Sequence, residues 1–307
     1  MLLWFDTKSS IDQNITKAET ETEKPYQLGW SQVVPFIFMH LMVLTVIWVG
    51  FSWLAFWSAL ALYFIRMFAI TGFYHRYFSH KHFKTSRFVQ FVFAFIGASA
   101  AQRGPLWWAS HHRNHHSFSD KKEDPHSPRQ QGFIWSHCLW FLSPLNFSTR
   151  TEKIKDFSKY NELIWLDRFD IVAPISLVIT LYFAGSIMAS YFPQLETTGM
   201  QMVVWGFFIS TVMLYHATYT INSLAHRYGS RRFETPDDSR NNALLAIITL
   251  GEGWHNNHHY YAGSVRQGFV WWEIDITFYL LKIMSWCGIV WDLKPIPIRV
   301  QQQIARK

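Results

Sequence analysis

The chain has 307 residues, half of them apolar, with 16 Trp, 27 Phe, 15 His, only two Cys and a formal net charge of +7. Its mean hydropathy lies close to zero, yet the apolar residues are gathered into long runs, and Cys138 and Cys287 stand far apart. This excludes zinc, iron-sulfur or thiol redox chemistry of the C-x-x-C kind and leaves two free thiols, expected to be buried among apolar neighbours.

Residues 1–29 are polar and lack the basic start, short apolar run and small-residue cleavage site of a signal peptide. Four apolar runs follow, at residues 33–51, 53–73, 171–191 and 200–220, each about the length needed to cross about 30 Å of hydrocarbon with roughly 20 residues. They predict two helical hairpins within one membrane domain over residues 30–292. A basic, Pro-rich tail at 293–307 is expected to be a simple end. About half of the Lys and Arg residues lie between the second and third runs, whereas the turn Gly50, Phe51, Ser52 has no charge and residues 192–198 carry only Glu196. The positive-inside rule therefore puts the middle segment and both termini on the cytoplasmic side. Residues 83–102 are apolar with a charged start and are expected to lie in the interface. The expected fold is all-α, an integral membrane protein of four transmembrane helices with a cytoplasmic helical cap that holds a histidine-rich dimetal site.

Nine histidines fall into four groups: His75 and His80 in HRYFSH, His112, His115 and His116 in HRNHH, His226 in NSLAHRYG, and His255, His258 and His259 in HNNHH. Residues three and four apart share a helix face, so each H-x-x-H-H triplet is expected to aim its three imidazoles at one point. A structural zinc takes about four ligands and a catalytic one about three, so nine histidines imply two metal ions. Imidazole suits zinc, copper, nickel and iron alike, and the residue type does not name the metal. Neutral imidazoles bring no negative charge, so carboxylates are expected behind them, with Asp124, Glu252, Asp167 and Asp170 the candidates near the groups or the span ends. Glu123-x-x-His126 and Glu252-x-x-His255 raise the di-iron bundle pattern, but Pro125 interrupts the first. His40, His216 and Arg66 lie within apolar runs and are expected to face protein or a water-filled cavity. His82, His111, His126 and His137 flank the groups, as polar surface or behind the ligands.

With the four groups in this order around two pairs of spans, the chain resembles the membrane-bound fatty acyl desaturases, in particular the delta-9, stearoyl-CoA desaturase-like type, over about residues 30–290. The string GPLWWASHHRNHH is similar to bacterial members, which implies a bacterial inner membrane. The resemblance implies that the nine histidines bind two ferrous ions, with Asn222 approaching one through water. It implies that Gln102, Trp108 and Thr218 shape a kinked acyl tunnel, with Tyr219 where animal enzymes have tryptophan and Tyr63 at the tunnel's closed end. Two hydrogens would leave adjacent methylenes at the expense of O₂. Electrons would come from a separate ferredoxin, rubredoxin or cytochrome b5 type donor. Animal members use an Arg-Asp and an Arg-Lys pair for the CoA headgroup; here Ser110-His111 and the stretch SPLNFS stand in those places, leaving acyl-CoA and acyl-lipid substrates both open. Membrane lipid is an expected partner and nucleic acid is not. A histidine-rich membrane hydroxylase shares the metal logic. More distant alternatives are a metal transporter, which should hold its ligands near the bilayer midplane on broken spans, and a zinc hydrolase that works without oxygen.

Overall fold

The computed structural model describes residues 6, 7 and 27–305. The expected polar segment 1–29, with its missing signal pattern, lies almost wholly outside the described residues. Among the described residues four helices are long and apolar enough to cross a membrane: α1 (Trp30–Val49), α2 (Trp53–Ser79), and, later in the chain, Val172–Tyr191 and Gly199–His226. Between the pairs lie α3 (Arg87–Ala98), α4 (Pro105–Phe118) and α5 (Asn161–Arg168). The second pair is α6 (Val172–Tyr191) and α7 (Gly199–His226). It is followed by α8 (Ala243–Ile248), α9 (His255–Tyr260), α10 (Ile276–Trp286) and α11 (Ile298–Ala305). The only sheet among the described residues pairs β1 (Lys84–Thr85) with β2 (Val290–Trp291), antiparallel.

Local chemistry sets the helix starts. Ser52 accepts from Ala55 N and Ser86 from Val89 N, Thr198 and Gln201 form a reciprocal capping box, and Pro105 opens α4, where a missing N–H costs nothing. Gly50 turns the chain between α1 and α2 at φ 73°, a conformation open to glycine. Helix α3 has 12 residues and at about 1.5 Å per residue is too short to span. Spans two and four run past the expected ends at residues 73 and 220, because α2 winds into a π segment at Ala69–Ser79 and α7 ends in a 3₁₀ turn at Leu224–His226. Those extra turns carry His75 and His226.

The outward faces of the spans are apolar. Trp30, Ile37, Phe38, Leu41, Ile47 and Trp48 of α1 and Ile175, Ile179, Phe183 and Ile187 of α6 are all exposed, as expected of helices whose solvent is hydrocarbon. The main core joins α2, α3 and α4 through Phe73, Tyr74, Phe78, Ala94, Leu106 and Ala109. Two expectations fail here. Cys138 is only half-buried, beside the exposed Ile134, and Cys287 is exposed, beside the exposed Trp286 and Ile289. The tail is not a simple end: residues 298–305 form α11, whose Val300 is buried against the cluster of Phe233, Phe269 and Tyr260.

Gly253 sits where α8 passes the start of α9. A Cβ there would strike the backbone nitrogen of Ala246 and the carbonyl oxygen of Asn242. Gly253→Ala is expected to destabilise the protein by about 1–3 kcal/mol, the usual cost of overpacking, read as a lower midpoint of thermal unfolding in detergent.

Candidate metal centre

Imidazole nitrogens converge in two places. His75, His80, His112, His116 and His258 bring one nitrogen each within 4.8 Å of one another, and so do His115, His226, His255 and His259. All nine histidines singled out in the sequence are thus gathered, but each H-x-x-H-H triplet is divided. From α4, His112 and His116 join the first group and His115 the second; from α9, His255 and His259 join the second and His258 the first. The expectation of one target per triplet fails because residues four apart are about 40° apart on a helix, whereas the third histidine lies about 60° to the other side. Each helix therefore serves both groups. His75 and His80, five apart, would diverge on an α-helix; the π winding of Ala69–Ser79 brings their rings to 4.9 Å.

Carboxylates orient the rings. His115 Nδ1 lies 2.9 Å from Asp124, His226 Nδ1 2.9 Å from Asp120 and His259 Nδ1 2.8 Å from Asp237, while His75 Nδ1 meets Glu252. A carboxylate fixes Nδ1 as the donor and leaves the Nε2 lone pair facing the centre. His75 Nε2 is 3.1 Å from His258 Nε2, which is 2.9 Å from His116 Nε2, and buried His259 Nε2 has no hydrogen-bond partner. Lone pairs facing one another at such distances fit a cation between them, so the donor set suits metal. Burial, and after it the neighbouring imidazoles, push His80, His112, His116, His255 and His258 well below the usual histidine range, which keeps them neutral, as ligands must be. His259, also buried but beside Asp237, is lowered less, to about 4. Burial opposes the cation at His115 too, yet the charge and hydrogen bond of Asp124 raise it overall. Although burial works against ionisation, His226, His115 and His259 hold Asp120, Asp124 and Asp237 below the usual carboxylate range. At Glu252 the charges of His75 and Arg76 overcome burial and lower it to about 2.

Of the four expected supporting acids, Asp124 and Glu252 hold histidines. Asp167 and Asp170 do not. Asp167 accepts from Trp107 N at 2.8 Å, at the start of α4, and from Thr149 Oγ1 at 2.7 Å, while Asp170 accepts from Arg103 Nε at 2.7 Å. Asp120 and Asp237 were missed, since both sit in loops outside the histidine strings. Also missed were Arg76, which pairs with Glu252 and Asp275, and Asn256 and Asn257, wholly buried, which pin α9 to Phe233, Gln267 and Glu273. His82, His111 and His126 are buried beside the groups; His126 stacks on His115 with ring centres 4.4 Å apart. His40 and His216 face each other inside the bundle, Nε2 to Nε2 at 3.1 Å, and His137 reaches His216 Nδ1 at 3.1 Å.

A cavity of about 480 Å³ leads to the histidines, and Trp108, His112, Thr218 and Asn222 line both it and a smaller pocket that holds His75, His115, His255 and Glu252. Gln102 and Tyr219 line the large cavity, and Gln102 Nε2 donates to Thr218 Oγ1 at 2.8 Å. Tyr63 lines neither; it is buried and its hydroxyl donates to Ile248 O at 2.6 Å.

Residues 28–282 match the fatty acid desaturase family. The chain is 38% identical to an acyl-CoA 5-desaturase of Anemone leveillei, over 82% of this chain and 75% of the relative. It is 35% identical to the sn-2 palmitoyl-lipid 9-desaturase of a Nostoc species, over 86% and 89% of the two chains, and 35% identical to delta-9 acyl-lipid desaturase 1 of Arabidopsis thaliana, over 84% and 81%.

Two outcomes are expected, one from acids that hold histidines and one from Asp167, which does not. Asp120→Ala or Asp237→Ala should weaken metal retention by about 10–100-fold, measured as metal bound per chain after dialysis against a chelator. Burial raises Asp167 from 3.8 to about 6. The folded state then holds this proton more tightly than the unfolded chain, so the stability it contributes is full below about pH 3.8 and is lost as pH rises through about 6. Thermal melts of wild type and Asp167→Asn across that window should show the variant gaining on wild type as pH rises.

Proposed function

The chain belongs to the fatty acid desaturase family and is an oxidoreductase acting on acyl chains, and we propose that it inserts a cis double bond, at the delta-9 position, into a saturated long-chain acyl group of an acyl-CoA or acyl-lipid. The observation that carries this reading is the placement of both histidine groups at the inner end of an apolar cavity. His75, His80, His112, His116 and His258 would hold one iron, His115, His226, His255 and His259 the other, with Asn222 near one of them through water. Bound ferrous iron would supply the oxygen activation that unactivated C–H bonds demand, with O₂ and external electrons consumed.

The residues of the chain then do the positioning. Trp108 and Thr218 stand at the junction of the two cavities and would hold a methylene pair beside the histidines, with Gln102 fixing Thr218. One methylene is worth only about 1–3 kcal/mol in an apolar pocket, so the position of the double bond would follow from depth. Both groups lie at or beyond the ends of α2 and α7, where a transporter's midplane site would not be. The basic middle segment supports a cytoplasmic centre. The exposed Lys121 and Lys122, just after α4, suit an acidic electron carrier that docks by charge.

The reading is tested by expression in a host with a compatible electron donor, followed by mapping of double bonds in its lipids. New olefins at one fixed position are expected; a hydroxylated lipid without olefin would sink the desaturase assignment. His115→Ala and His258→Ala, one from each group, should each lower turnover to background, and an active variant of either would count against a centre built from both.

A further inference from the structure

The lining of the large cavity reaches in two directions. Besides Trp108, His112 and Asn222 it includes Phe38 and Met39 of α1, Ile175, Val178 and Ile179 of α6, and Phe207 and Phe208 of α7. Helices α1 and α6 both pack on α7, and the cleft lies between them. Phe38, Ile175 and Ile179 are exposed, so these lining residues belong also to the apolar outer face of the spans. From Gln32 to Met39, and from Ile171 to Ile179, the cleft descends about 10–12 Å at about 1.5 Å per residue. That is under half of an about 30 Å hydrocarbon layer, the depth of one leaflet.

The rim, where both helices begin, is polar: Ser31, Gln32, Arg103 and Asp170 line it. Arg103 is the single Lys or Arg among the described lining residues. Its Nε is bound to Asp170 at 2.7 Å, and its guanidinium lies 3.9 Å over the Phe147 ring. The rim thus offers polar groups without surplus positive charge, a poor match for the clustered phosphates of a CoA thioester.

Resting on the desaturase reading, we infer that the substrate is a two-chain glycerolipid that enters sideways from the bilayer. Its reactive chain lies along the branch to the histidines, its other chain lies in the α1–α6 cleft, and its headgroup stays at the rim by Ser31 and Gln32. An apolar lining that reaches both the histidines and the exposed faces of α1 and α6 suits two chains joined at a polar end.

The test uses the iron-loaded full chain in nanodiscs with a chemical or protein electron donor, offered a saturated diacyl phosphatidylcholine, its lysolipid, or stearoyl-CoA. Wild type should desaturate the intact diacyl lipid. Val178→Trp and Met39→Trp, made separately to fill the cleft, should each lower the ratio of diacyl to lysolipid turnover at least tenfold. Conversion of stearoyl-CoA without conversion of the diacyl lipid would overturn the inference and leave the desaturase reading intact, as would an unchanged ratio in both variants. A hydroxylated diacyl lipid would do the reverse, supporting the route of entry against the reaction. Native mass spectrometry reads binding without turnover: wild type should retain one diacyl lipid that both variants lose, and preferential retention of stearoyl-CoA would also overturn the inference.

Discussion

The centre depends on one contact made four times, a buried carboxylate accepting from a histidine Nδ1. Asp124, Asp120, Asp237 and Glu252 each fix a ring in the tautomer that turns its Nε2 lone pair inward. A buried carboxylate is costly unless it is paired, and each of these is. Arg76 pairs with both Asp275 and Glu252 and offsets one of those two charges, so with Asp120, Asp124 and Asp237 four negative charges remain, as many as the two divalent ions of the proposed centre would bring positive ones.

Those acids sit in loops, so the loops must be as rigid as helices. Asp120 accepts from Ser127 Oγ and Asp238 N, Asp124 from Asp120 N and His126 N, and Asp237 from Ser239 N. Arg113 ties α4 to the end of α2 through the carbonyls of Phe78 and Ser79 and to Asp156. The residues between the histidines in HRYFSH, HRNHH and HNNHH are therefore not spacers. Arg76, Arg113, Asn256 and Asn257 make the bonds that keep three separate elements aimed at two points.

The sequence made the histidines legible because clustered imidazole has few other uses, and the spans legible because hydrocarbon demands length. The rest depended on things a string does not carry. Asp120 and Asp237 act across loop folds, and nothing local marks them apart from a solvated acid. Asp167 and Asp170 are near a span end in the chain, yet the fold uses them to cap α4 and to hold Arg103. The π winding in α2 has no residue signature, although it decides where His75 and His80 point. The cysteines misled for a different reason: where the exterior is itself apolar, apolar neighbours do not mean interior.

Arg66 shows how the fold makes a cavity wall from a cation that would be costly alone in a span. It donates to Leu62 O, Ser99 O, Thr211 Oγ1 and Ser210, while Tyr215 donates to Ala101 O. These bonds hold the turn between α3 and α4, where Ala101 and Arg103 take φ 53° and 70°, a strained region for residues with a Cβ. The turn presents Gln102 to Thr218 at the mouth of the inner pocket. Strain of this kind persists only where the surroundings over-determine it, and here α2, α7 and Asp170 all do so. Since affinity discriminates poorly between one methylene and the next, a wall fixed by backbone carbonyls and a buried guanidinium would suit the proposed acyl site as its ruler.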